Sequence, residues 1–141
     1  MRGFLLDTNC ISEAVRLHPE PRVMAWIEAT DESLLYLSVL TLGEIRKGLA
    51  ALPPGRRRTR LETWLEAELR PRFSGRVLSV DSEVADRWGL LAAAARRQGK
   101  ALSVIDGLLA ATALHHILTI VSRNVSDFAN LPVAVVNPWK V

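Results

Sequence analysis

The chain has 141 residues, 49% hydrophobic and 23% charged, with a net charge of +3. That suits one globular domain over residues 1–141 and excludes a disordered chain. A single cysteine, Cys10, excludes an internal disulfide and a multi-cysteine zinc site.

The first predicted element is a short buried strand, Phe4 to Leu6, ending at Asp7. An acid there interrupts the apolar stretch that an export signal needs. Pro21 suits the first position of a helix whose Val23, Trp26 and Ile27 share a face. Leu34 to Val39 reads as a second strand, and Thr41 starts a helix through Leu52 that Pro53-Pro54-Gly55 stops. The next stretch, Arg56 to Leu69, is amphipathic, with Leu61, Trp64, Leu65 and Leu69 at helical spacing. Seven arginines against Glu62, Glu66 and Glu68 give Arg56–Arg76 a charge of +4, leaving −1 for the rest. Such a patch suits a polyanion, or equally a solvated helix surface.

Arg76 to Val80 is a predicted third strand. Ser82 is placed to cap a helix with Val84, Trp88 and Leu91 inward, ending at Gly99. Ser103 is placed to cap another, running through Ala113 or His115, before a fourth strand, Leu118 to Ser122, and a fifth, Val133 to Val136. The apolar run from Gly107 to Ser122 contains His115 and His116 and is too short and polar for a bilayer span. A cytoplasmic location with no membrane is the expectation.

Strands separated by helices pair in parallel, and runs apolar on both sides are covered on both faces. The predicted fold is a three-layer α/β sandwich with a short, mainly parallel central sheet flanked by helices. Its functional crevice lies at the carboxyl ends of the strands. Four acids reach that edge although they are spread along the chain. Asp7 follows strand one, Glu44 falls in the first turn after strand two, Asp106 in the first turn after Ser103, and Asp127 shortly after strand four.

Each acid has a plainer use. Asp7 can cap the following helix with Thr8 and Asn9. Glu44 and Asp106 stand at capping-box spacing from Thr41 and Ser103, and Asp127 can end a loop. Together, however, several carboxylates in one crevice repel each other, which raises their pKa values unless a hard divalent cation compensates. Oxygen ligands suit Mg²⁺, with Mn²⁺ as a substitute, as one ion or two. Adjacent His115 and His116 face different ways, and His18 precedes Pro19 in a loop, so no histidine is well placed as a ligand. A carboxylate-held Mg²⁺ points to phosphate chemistry.

In Leu5-Leu6-Asp7-Thr8-Asn9, Ser38 to Gly48, Ile105 to Ala113 and Val121 to Phe128, the chain resembles the PIN-domain family, and within it the VapC-like toxin ribonucleases. The resemblance implies a Mg²⁺-dependent endoribonuclease acting on RNA, usually dimeric, with a Rossmann-like sheet and a cognate VapB-like antitoxin. It carries the metal-binding and catalytic roles to Asp7, Glu44, Asp106 and Asp127. Asn9, Ser122 and Asn124 become pocket-supporting residues; many relatives have a further acid at the position of Asn124. Arg46, Lys47, Arg57 and Arg58 are the candidate RNA contacts. A haloacid-dehalogenase-type phosphatase would need an Asp where Asn9 stands. A receiver domain would need adjacent acids after strand one. A non-catalytic α/β module with the acids as caps stays open at this point.

Overall fold

The computed structural model describes residues 2–140. Five parallel strands form one sheet in the order β3-β2-β1-β4-β5. They are β1 (Phe4–Leu6), β2 (Leu35–Ser38), β3 (Val77–Leu78), β4 (Thr119–Val121) and β5 (Val135–Val136). From β1 the chain builds outward to β2 and β3, then returns to add β4 and β5 on the other side of β1. Right-handed crossovers make each direction of growth deposit its helices on one face, so the reversal splits the helices between two faces.

One face carries α1 (Thr8–Glu13), α2 (Pro21–Ala29), α3 (Val39–Ala50) and α4 (Arg56–Trp64), the last continuing through a π-helical segment, Leu65–Leu69, into α5 (Arg70–Arg72). The other carries α6 (Ser82–Arg97) and α7 (Val104–His116). Alternation along the strands fills both cores. Leu6, Leu35, Leu37 and Val121 join Ile11, Val23, Leu65 and Phe73 in one, while Leu5 and Ile120 join Leu109, Ala113 and Phe128 in the other. This is the expected three-layer sandwich.

Two helix starts differ from expectation. Helix α3 begins at Val39, because the Ser38 hydroxyl accepts from the Leu40 N–H at 3.0 Å. Thr41 is therefore inside the helix and fully buried, and Glu44 lies in its second turn rather than its first. The capping-box use of Glu44 falls with that shift. For α6 the cap is Asp81, which accepts from the Val84 N–H at 2.9 Å, instead of Ser82. Ser103 caps α7 as expected, accepting from the Asp106 N–H at 3.1 Å. Among the described residues no helix is long and apolar enough to cross a membrane.

Candidate active site

The reversal of strand order lies between β1 and β4, where neighbouring crossovers run to opposite faces and leave a crevice. Leu6 pairs with Val121, so the next residues, Asp7 and Ser122, meet at the carboxyl ends of the two strands. The Asp7 N–H donates to the Val121 carbonyl at 2.9 Å, and the Ser122 hydroxyl donates to Asp7 Oδ2 at 2.7 Å. Both side chains are buried. Asp7 Oδ1 accepts from the Thr8 N–H at 2.8 Å, so Asp7 does cap α1. A carboxylate oxygen has two lone pairs, and the second on Oδ1 is left for a ligand. Capping and binding are compatible here.

Polar neighbours brace this carboxylate. Asn9 Nδ2 donates to Ser122 Oγ at 3.3 Å and reaches Asp7 Oδ2 at 3.5 Å, while Asn9 Oδ1 accepts from the Arg123 N–H at 3.3 Å. The Asn124 N–H donates to Ser122 Oγ at 3.0 Å. Asn9 and Ser122 thus both reach the Asp7 carboxylate, and Asn124 joins them through its backbone N–H. Thr8 is the residue that sequence reasoning undervalued. Its hydroxyl donates to Glu44 Oε1 at 2.6 Å, tying α1 to α3 and orienting a second carboxylate toward the rim.

The remaining acids arrive on separate supports. Asp106 sits in the first turn of α7, held by the Ser103 cap. Close approach of α6 helps seat that turn. A Cβ added to Gly107 would stand 2.8 Å from Trp88 Cδ1, so only glycine lets the indole lie this close. Asp127 is exposed on a 3-10 turn, Val125–Phe128, whose Phe128 is anchored in the core below.

Asp7 is the acid through which the others are electrostatically linked. Burial raises the pKa of Asp7, the Ser122 hydroxyl and the Thr8 N–H lower it, and the charges of Glu44 and Asp127 raise it again. Burial likewise raises Asp106, Ser103 opposes, and the charges of Asp127 and Asp7 add to the rise. None of the four pairs with lysine or arginine among the described residues. Beneath them, burial pushes the Cys10 thiol up to about 12, which makes it an inert packing group.

Among the described residues, no three histidine, cysteine or acidic side chains stand close enough to enclose an ion by themselves. The site is an open rim of oxygen donors. Such a rim fits Mg²⁺, which keeps several waters and takes only one or two carboxylates together with substrate phosphate. His115 lies elsewhere, with Nε2 3.0 Å from Glu83 Oε2.

Clefts flank the rim on two sides. One, of about 550 Å³, opens beside Asp106 and Asp127 and is walled by Leu91, Leu102 and Leu131. Another, of about 290 Å³, runs from Thr8 and Glu44 past Leu49 to Arg57 and Trp64. The candidate RNA contacts divide. Arg57 lines the second cleft and Lys47 is exposed. Arg46 is paired with Glu66 and lies 3.8 Å from Glu62, and Arg58 lies 3.6 Å from Glu62 while donating to the Leu52 carbonyl at 3.2 Å.

Known proteins share the sequence pattern and the fold. The family model described as "PIN domain" matches residues 4–133. A Sinorhizobium fredii protein named "VapC ribonuclease Y4jK" is 41% identical over 136 residues, covering 96% of this chain and 97% of that protein. "Toxin FitB" of Neisseria gonorrhoeae is 41% identical over 135 residues, covering 96% of this chain and 97% of that one. Among solved structures, "FitAB bound to IR36 DNA fragment" contains a chain with a TM-score of 0.93 and 38% identity, the match covering 98% of this chain and 96% of that chain.

Proposed function

The chain belongs to the PIN-domain family, and from that premise we propose that it is a cytoplasmic Mg²⁺-dependent endoribonuclease, the toxin of a toxin–antitoxin pair. The observation that carries the reading is Asp7. A buried carboxylate, braced by Ser122 and Thr8 at the strand switch and facing three other acids without a basic partner, is costly for folding and useful for holding a cation. The ribonuclease and toxin names of the two relatives support the same reading.

Asp7 and Asp106 are the proposed direct ligands, with Glu44 and Asp127 completing the rim directly or through water. These carboxylates would hold a divalent ion, and the chemistry it would supply is a lower pKa for a bound water and compensation of charge on the phosphoryl oxygens. The protein's own groups do the rest. Ser122, Asn9 and Thr8 fix the direction of the Asp7 oxygens. Thr8 occupies Glu44 Oε1, so Oε2 remains to accept the proton that leaves the attacking water. The open rim leaves space for the phosphodiester of an RNA strand.

Such an enzyme needs a keeper. The proposed partner is a VapB-like antitoxin, in a complex built on a homodimer of this chain. An arginine from the antitoxin, set among Asp7, Glu44 and Asp106, satisfies these carboxylates with bidentate hydrogen bonds and displaces the ion. Controlled expression tests the proposal. The native chain should arrest growth and create new RNA 5′ ends at defined positions, and Asp7→Asn should do neither while accumulating as folded protein. Equal arrest and equal cleavage by both would overturn it.

A further inference from the structure

We propose that the trough between the segment following α1 and helix α4, walled by Arg57 and Arg60, is the track along which a single RNA strand reaches the acidic rim; this rests on the ribonuclease reading and adds a substrate path to it. The basic segment from Arg56 to Arg76 looks uniform in sequence, but the fold sorts its arginines. Arg58 faces Glu62, Arg70 lies 3.2 Å from Glu66, and Arg72 and Arg76 both pair with Glu32. Among the described residues, Arg56, Arg57 and Arg60 have no carboxylate partner. Their charge is uncompensated by the protein.

Arg57 and Arg60 are three residues apart on α4, which puts them on one face. Both line a trough of about 1080 Å³, with Arg16 and His18 from the segment after α1 on its opposite side. Arg16 is paired with the buried Glu13 at 3.3 Å, and among the described residues Glu68 is the one acid lining the trough. The smaller cleft that ends at Thr8 and Glu44 shares Val15, Arg16, Arg57, Leu61 and Trp64 with this trough. Arg57 is the joint between the two. A surface whose unpaired charges are the two arginines Arg57 and Arg60, and which turns negative where the cation is proposed, matches a phosphate chain entering a metal site. The guanidinium forks suit phosphate oxygens, and the half-buried Trp64 indole, shared by both clefts, suits a stacked base.

The test uses the full chain carrying Asp7→Asn, a fluorescent single-stranded RNA oligonucleotide as probe, and binding measured from 50 to 300 mM salt. Each phosphate contact with single-stranded RNA contributes about 0.7 to the slope of log affinity against log salt, or roughly fivefold in affinity at 0.1 M salt. Adding Arg57→Gln and Arg60→Gln should flatten the slope by about 1.4 and weaken binding about 25-fold at that salt. Arg70→Gln, which removes a charge already paired with Glu66, should change the slope far less. In the chain with Asp7 intact, the Arg57→Gln, Arg60→Gln variant should raise KM for a long RNA by a larger factor than it lowers kcat, whereas Arg70→Gln should leave KM near the native value.

An unchanged slope and KM would overturn the track and leave the ribonuclease reading intact. So would an equal loss from Arg70→Gln, which reports net charge alone. If the variant keeps its RNA affinity but loses affinity for a purified antitoxin, the trough is a protein-docking surface and the proposal is wrong. Absence of cleavage by the native chain under every metal condition would instead count against the ribonuclease reading itself.

Discussion

Replacing Ser122 by alanine probes the structural basis of the site more sharply than removing an acid does. The hydroxyl is fully buried, donates to Asp7 Oδ2 at 2.7 Å, and accepts from the Asn124 N–H at 3.0 Å. A hydrogen bond to a charged group contributes about 1.5–3 kcal/mol and a neutral one about 1 kcal/mol. At pH 7, with Asp7 ionised, Ser122→Ala should therefore cost about 2–4 kcal/mol. In acid, with Asp7 protonated, only ordinary bonds are lost, and the cost should fall to about 1–2 kcal/mol. The sign follows from linkage. Burial already raises the pKa of folded Asp7 above its unfolded value, so the native state binds the extra proton and stability falls as pH rises through that interval. Loss of the hydroxyl raises the folded pKa further and steepens the fall. Urea denaturation of metal-free protein at pH 4 and pH 7 measures both costs. A difference below about 0.5 kcal/mol between the two pH values would refute the charge-assisted bond.

Two other substitutions follow from the same geometry. Asp7→Asn in metal-free protein should flatten the carboxylate-range pH dependence and stabilise the fold at neutral pH, since the buried charge and its repulsion with Glu44 and Asp127 disappear; urea melts in chelator check this, and a destabilised variant would make Asp7 chiefly a structural cap. Gly107→Ala forces a methyl to within 2.8 Å of Trp88 Cδ1, and should cost about 1–3 kcal/mol by overpacking; adding Trp88→Leu should recover part of that loss, and no recovery would place the strain elsewhere.

Much of the site was legible because its placement depends on strand ends. Short runs such as Phe4–Leu6, apolar on both sides, announced a covered parallel sheet. The acid just beyond then had to lie at its carboxyl edge. The helix starts were less legible for a local reason. Ser38 and Thr41 are both good caps, as are Asp81 and Ser82, and the backbone path into each helix chose between them. Helix α7 ends one residue beyond expectation at His116, with Ile117 left-handed at φ 57°, a conformation no local rule assigns to a β-branched residue. The π-helical segment Leu65–Leu69 is equally silent in a pattern that reads as plain amphipathic helix. Contacts across elements were beyond local pattern altogether. Nothing near Thr8 in sequence points to Glu44, and nothing near Arg46 points to Glu62 on α4 or to Glu66 on the π-helical segment. Three-dimensional pairing is what separates the free arginines from the compensated ones.

The central claim is that a divalent ion held by Asp7 and Asp106 drives RNA cleavage, and chelator titration with metal rescue tests it most directly. The purified native chain should cleave a defined RNA in Mg²⁺ or Mn²⁺, stop when EDTA exceeds the metal, and recover when metal is restored. Asp7→Asn and Asp106→Asn should stay inactive at every metal concentration while keeping native circular dichroism. Undiminished cleavage in excess EDTA, together with full activity in either variant, would contradict the account.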